Sequence, residues 1–284
     1  MILVSHFHGE CGLSMWTDEL EFVRDAYPEG HFTGMAHNEK RNELFLAAFG
    51  TGAIISVDGR LQQQSELPTM TCAVHGICTH GDYLCATDTS VDRLKIIDLD
   101  QREVVAEWAF GVTPQDQHHM NSCWFGEAGP PELYVSAFTL RRKRDDSQEG
   151  SWRRYTREGV ILDLANWWAS DGLPSVVQDG ISHPHTVRVY GESLWWCESV
   201  TGTLWWQGTP FWRHQGYLRG LAFTQAHVYA ATSKRSEFRG LGYEDVSRLF
   251  RINPTGVLVN EVVLDAKYGE VFAIEHVPDD WLSP

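Results

Sequence analysis

The sequence predicts an all-β protein, on three observations. Helical periodicity is weak along nearly the whole chain, and the best helical candidate, VILDLANWWAS at 160–170, reads equally as a strand and a turn. Short apolar runs punctuated by Gly, Asp and Pro dominate instead, as strands require. Above all, a unit of three clear strands and a weaker fourth recurs along the chain.

The first unit runs from Gly34 to Asp58 and the second from Cys72 to Asp100. The third begins at His118 and rejoins the pattern at GVILDL; the fourth begins at His183 and the fifth at Tyr217. Each opens on a short strand with a His or Arg near its start. A polar turn leads to an apolar strand: ELFLAAF, DYLCATD, ELYVSAF, SLWWCES or HVYAATS. A third strand follows, SRLFRINP in the fifth unit, and EVVAEWAF and EVVLDA supply weak fourth strands. This is the four-stranded blade of a β-propeller.

The ends supply a sixth blade. EVFAIEHVP, from Glu270, reads as a first strand with nothing after it. ILVSHFHGE, GLSMWTD and LEFVRDAY at the N-terminus read as second, third and fourth strands with no first. Joining them closes a six-bladed ring and removes its open sheet edges. The expectation is one propeller domain over 1–284, with the charged stretch RRKRDDSQEGSWRRYTRE, about 139–158, as an inserted loop or hairpin.

Composition narrows the function classes. A formal net charge of −15 repels phosphate backbones and anionic lipid, so neither nucleic acid nor a membrane is an expected partner. The start, MILVSHFHGE, lacks the basic region and apolar length of a signal peptide, and no run approaches a spanning helix. A cytoplasmic location is expected. The six cysteines lack CxxC spacing and read as buried free thiols rather than disulfides or a zinc site.

In a propeller the first strand of every blade lines the central channel, and side chains alternate along a strand. Equivalent positions therefore form a ring. The repeat puts His37, His75, His119, His185 and Arg219 at five of these positions and Phe272 near the sixth. Neutral imidazole is the commonest ligand for transition metals, and several around an axis leave a coordination position open for chemistry. The plainer alternative is a polar channel wall holding water. Register favours His119 over His118 as the inward residue, since a slip by one turns every side chain over. His183, two residues before His185, shares its face, and His6 and His8 flank the closing blade. Arg219 either grips a substrate carboxylate or phosphate in a fork of hydrogen bonds or pairs with an acidic neighbour such as Glu270. Asn121 shares the face of His119 and is a candidate for orienting substrate; Glu198 and Glu10 are candidate acids or bases. The paired tryptophans Trp195, Trp196, Trp205 and Trp206 read as packing between blades.

The segments AVHGICTHGDYLCATDTS, HHMNSCWF, PHTVRVYGESLWWCESVTGTL, GYLRGLAF and VYAATSKR resemble an uncharacterised bacterial propeller family with blocks built around His-Asp, His-Leu-Asn-Gly, Pro-His-Ser-Pro-Arg and Ala-Arg-Gly-Leu-Ala. Some members are attached to tetratricopeptide repeats. The resemblance covers roughly residues 70 to 240 and implies that His75, His119, Asn121, His185 and Arg219 are pattern positions. Gly76 stands where the pattern has Asp, and Val187 where it has Pro. The resemblance carries no established activity.

Two classes of function follow. One is a metalloenzyme with a multi-histidine channel site, holding iron by preference over manganese, zinc or copper, with oxidative or lyase chemistry on a small molecule or short peptide bearing an acidic group. A metal-dependent hydrolase or isomerase is a variant of it. The other is a non-catalytic binding module acting through its rim loops, with the basic insertion as contact surface.

Overall fold

The computed structural model describes residues 1–27, 30–67, 73–110, 116–140, 157–170, 173–234 and 245–282. Their strands form six four-stranded antiparallel sheets. The inner strands, one per blade, are Phe32–Asn38, Val74–His80, Met120–Gly126, Pro184–Tyr190, Tyr217–Phe223 and Glu270–His276. Each packs against the next, and the last packs against the first, so the ring closes. We number the blades one to six in that order.

The sixth blade is composite. Glu270–His276 pairs with Ile2–Phe7, which continues into Leu13–Trp16 and Phe22–Tyr27. The chain ends are tied there as well: the Met1 amine donates to the Val277 carbonyl at 3.1 Å and to Asp279 at 3.0 Å. VILDLANWWAS resolves into the strand Gly159–Asp163 and the short helix Ala165–Ser170. Among the described residues no helix is long and apolar enough to cross a membrane. The charged insertion lies outside the described residues except at its two ends.

Each of the six hydrophobic clusters sits between two neighbouring blades. Leu44 and Leu46 face blade six while Phe45 and Ala47, on the same strand, face blade two. A strand buried on both faces has no polar side to show, which is why ELFLAAF reads as a continuous apolar run. Trp195 packs towards blade five and Trp196 towards blade three. Burying side chains of this size stabilises the fold by about 1.5–3 kcal/mol apiece.

Every inner strand slips register at the same level of the ring, and that of blade three slips again between Phe125 and Gly126. The bulged residues are Thr33, His75–Gly76, Asn121, Thr186–Val187, Arg219 and Phe272–Ala273. A bulge bends the strand and re-aims a side chain. Backbones nearly touch here. A Cβ on Gly76 would lie 2.6 Å from Ser122 Cα and 2.8 Å from the Asn121 carbonyl. The channel is consequently pinched to a cavity of ≈ 40 Å³ at this level.

Candidate active site at the channel mouth

Three of the four expected histidines gather at the mouth formed by the N-terminal ends of the inner strands. The rings of His75 and His119 are 5.4 Å apart, edge to face. Phe138 lies 4.5 Å from His119, 4.4 Å from His183 and 5.1 Å from His185. Phe272 closes the circuit, 5.9 Å from His75 and with the Arg219 guanidinium stacked 3.6 Å above it.

The ring differs in detail from the one read off the repeat. His75, Arg219 and Phe272 occupy bulge positions. The equivalents in blades one, three and four are Thr33, Asn121 and Thr186, so His119 sits two residues and His185 one residue above that level. His37 does not belong to this mouth. It is four residues beyond Thr33, about 13 Å along the strand, and lines a cavity at the other end of the axis. The repeat was aligned on its imidazoles, whereas the inner strand of blade one begins at Phe32 with no imidazole near the bulge.

Arg219 is 2 % exposed and its charge is matched. It donates from Nη1 to Glu270 Oε2 at 3.4 Å and from Nε towards His185 Nε2 at 3.4 Å. The ion pair with Glu270 is the second of the two roles the sequence allowed it, and it answers the requirement that a buried charge be paired. The tautomer of His185 follows from its other side. Ser199 Oγ gives its hydrogen to the Leu218 carbonyl, so at 2.7 Å from His185 Nδ1 it accepts one. Nδ1 therefore carries the proton and Nε2 is the basic nitrogen that meets the guanidinium.

His119 is held by a carboxylate. Its Nδ1 lies 3.1 Å from Asp116 Oδ2, and an ionised carboxylate only accepts, so here too Nδ1 carries the hydrogen. His119 and His183 both have left-handed backbone, φ +53° and +54°, which L-residues with bulky side chains adopt at a cost. Beneath them, Asp92 Oδ2 accepts the backbone N–H groups of Gln117 and His118, at 2.5 and 2.8 Å, and so anchors the segment.

The remaining candidates are structural neighbours rather than members of the mouth. His118 turns away from the axis: its Nδ1 donates to the Thr139 carbonyl at 3.0 Å and its ring packs on Phe110. His183 is fully buried, stacked on Phe138, with Nδ1 3.1 Å from the Tyr217 hydroxyl. Glu198 accepts from the Ser182 N–H and the Trp205 indole, both at 2.9 Å, which fixes the strand entry just before His185. Asn121 lines the pinched channel and accepts from Ser136 at 3.0 Å. His6 is buried inside its blade, 2.7 Å from Ser14 Oγ and stacked on Tyr268. Burial pushes its pKa down to about 3. His8 is exposed at the rim beside Phe7 and His31, and Glu10 is exposed too.

The side chains fit a metal only in part. Metal-bound histidines usually donate their second nitrogen to a fixed acceptor, and His119 and His185 do. The ligand atoms, however, do not converge as the four-histidine expectation required. Among the described residues the sole group of three His, Cys, Asp or Glu side chains with ligand atoms within 4.8 Å of one another is Cys78, Cys85 and Cys123. His185 Nε2 also faces a guanidinium, which repels a cation. The three thiols are packed between blades two and three, and all five described cysteines are buried and free. Cys72 lies outside the described residues.

Ser199, Asp116 and Phe138 are the parts of the site that sequence reasoning missed. Phe138 carries a signal: Phe49 follows the second strand of blade one as Phe138 follows that of blade three, and Phe49 is also at this mouth, 6.0 Å from His75. Ser199 and Asp116 carry none, being single polar residues in turns.

A family model described as "Domain of unknown function (DUF4915)" matches residues 105–281, more than half of the chain. The chain belongs to the DUF4915 family. The DUF4915 match includes His119, His185, Arg219 and Glu270, while His37 and His75 precede it. No curated protein matches the sequence. Among solved structures, a protein of unknown function from Bacteroides caccae superposes with a TM-score of 0.67 at 12% identity, covering 96% of this chain and 97% of its own. The nidogen/laminin complex gives 0.66 at 9% identity over 96% and 97%. A streptogramin B lyase gives 0.54 at 14% identity, over 83% of this chain and 69% of the other. At these identities the likeness is one of fold, and it places this DUF4915 chain among the propellers.

Proposed function

We propose that the histidine-lined mouth is the active site of an enzyme of lyase or hydrolase type, acting on a small molecule or short peptide. The observation that carries this is the Asp116–His119 pair: a nearly buried imidazole held in one tautomer by a carboxylate, beside the more open His75. A carboxylate that orients an imidazole is how a general acid or base is set up for proton transfer. His185 also has its proton fixed on Nδ1, by Ser199, with its basic Nε2 facing Arg219. Arg219 beneath them is itself ion-paired with Glu270. Elimination and hydrolysis both need proton transfer and no electron carrier. The fold likeness to a streptogramin B lyase is compatible with this reading and does not decide it.

The test is a panel of lactones, esters and β-substituted carboxylates assayed with chelator-treated protein. Turnover that falls about a hundredfold or more in His119→Gln and Asp116→Asn, with the unfolding midpoint retained, supports the reading. Turnover indifferent to both changes ends it. A second reading, favoured by the oriented Nδ1 atoms of His119 and His185, is metal-dependent chemistry after Arg219 leaves His185, with iron, manganese, zinc or copper as the ion. Activity lost on chelation and restored by one of these ions selects that reading, and dioxygen consumption separates its oxidative form from the rest.

A further inference from the structure

Three thiols meet where blades two and three pack together. Cys78 and Cys85 stand directly opposite each other on the first two strands of blade two, and Cys123 comes from the inner strand of blade three. Their sulfur atoms all lie within 4.8 Å of one another, with Cys78 and Cys123 at 3.8 Å. Cys78 and Cys85 are fully buried, Cys123 is 3 % exposed, and all three are free thiols. The cross-strand pair alone is ordinary packing, because free cysteine behaves as a small apolar residue. The third sulfur, brought from a different blade, completes a triangle.

The triangle has the size of a coordination site. A centre bonded to sulfur at about 2.3 Å in a flat three-coordinate arrangement holds its ligands roughly 4 Å apart, and somewhat less when it is pyramidal. The bound atom therefore sits among the sulfurs themselves and no empty cavity is called for. The thiol hydrogens give up little in exchange: Cys123 Sγ reaches the Cys85 carbonyl only at 3.5 Å and that of Gly76 at 3.7 Å.

Coordination number and charge select the occupant. Among the described residues no fourth Cys, His, Asp or Glu completes the group. Zinc in a closed site and iron–sulfur clusters take four ligands, and this site has three. Its surroundings are apolar: Leu94, Ile96, Leu133, Val135 and Leu162. Copper(I) on three thiolates would leave two negative charges there, and an unpaired buried charge is costly. Arg188, the cation that shares the wall of the pinched axial cavity with Cys123, is already paired with Glu275. A trivalent centre on three thiolates carries no net charge.

We propose that Cys78, Cys85 and Cys123 form a binding site for a trivalent thiophilic oxyacid, arsenite or antimonite. Arsenous acid, As(OH)3, is uncharged near neutral pH. Each thiol proton leaves with one hydroxide as water, so three As–S bonds replace three As–O bonds, three waters are released and nothing is oxidised or reduced. Cys123 lines the axial cavity, and a small neutral molecule approaches from that side by local opening between the two blades, which makes uptake slow. The site is separate from the histidine mouth and does not depend on the chemistry proposed there.

Arsenite added to the reduced full chain tests it, with zinc and copper(I) as comparators. After prolonged incubation, native mass spectrometry is expected to show a single equivalent, as a gain of one arsenic less three hydrogens. X-ray absorption is expected to show three sulfur neighbours and no oxygen. Affinity falls about a hundredfold or more in Cys78→Ala, Cys85→Ala and Cys123→Ala, and is unchanged in Cys11→Ala and Cys197→Ala. The sulfur count is read on the unaltered protein, so it decides the matter even where a variant unfolds. No uptake by the folded protein overturns the proposal. So does a bound arsenic with fewer than three sulfur neighbours, an affinity indifferent to the three substitutions, or displacement of arsenite by an equal concentration of zinc or copper(I).

Discussion

Ser199 Oγ accepts a hydrogen bond from His185 Nδ1 at 2.7 Å and passes its own hydrogen to the Leu218 carbonyl. One hydroxyl thereby joins blades four and five and sets which nitrogen of His185 is basic. In Ser199→Ala the imidazole keeps the His183 carbonyl, at 3.2 Å, on that side. The expected result is a loss of about 1–2 kcal/mol in stability. The ring-nitrogen NMR shifts of His185 should still report the Nδ1–H tautomer, because the His183 carbonyl only accepts and Arg219 Nε donates to Nε2.

Arg219 and Glu270 make a buried pair with unequal exposure, 2 % and 18 % at the side chains. Removing the cation strands little charge, because Glu270 can reach water; removing the anion leaves a guanidinium in the core. Breaking a buried pair costs about 3–5 kcal/mol when the orphaned charge stays buried. Glu270→Gln is therefore expected to lower the urea midpoint more than Arg219→Met does. The reverse order would mean that the stacking of Arg219 on Phe272, and not the charge pairing, holds this part of the ring.

Gly76 is fixed by space. Its would-be Cβ meets Ser122 Cα and the Asn121 carbonyl, both backbone and both unable to move without opening blade three. Gly76→Ala should destabilise by about 1–3 kcal/mol as overpacking does. The same change at Gly50, where a Cβ would meet nothing within 4 Å, carries only the strain of its φ of +87°. Thermal unfolding of the two variants side by side separates crowding from backbone strain.

Two buried groups tilt stability with pH in opposite directions. Burial raises the Asp92 pKa to about 7, against the N–H groups of His118, Gln117 and Met120 that lower it. The folded state thus holds a proton that the unfolded state releases at ordinary carboxyl values. This stabilising contribution is complete below pH ~4 and is lost as pH rises through about 7. His6, depressed to about 3 by burial, acts conversely: its contribution is present above pH ~6.5 and is lost as pH falls towards 3. Asp92→Asn keeps an acceptor for Gln117 and His118 but no longer titrates. Its stability should fall more steeply than that of the unaltered protein between pH 7 and 4 in urea titrations. Parallel profiles would place the Asp92 pKa in the normal range.

The fold was readable because blades repeat an apolar pattern that burial between neighbours enforces. ELFLAAF and SLWWCES are apolar on both faces for that reason, and EVFAIEHVP announced its missing partners by lacking a second strand. His119 reaches the mouth from the segment before the strand Met120–Gly126, two residues off the level its alignment with His75 gave it, so strand register did not place it. His37 was misplaced because identity of side chain stood in for position along the strand, and a bulge level leaves no mark in composition. Asp116 and Ser199 were unreadable in principle. Each is one polar residue whose role depends on where a neighbouring turn brings it.

The composite sixth blade has a consequence for synthesis. Ile2–Phe7 leaves the ribosome long before its inner partner Glu270–His276. At about 5–20 residues per second, that edge waits on the order of 15–50 s for its mate. During that interval an apolar ribbon with open hydrogen-bonding groups is available to any passing strand, so the wheel's final fastening is also its period of greatest vulnerability to clumping.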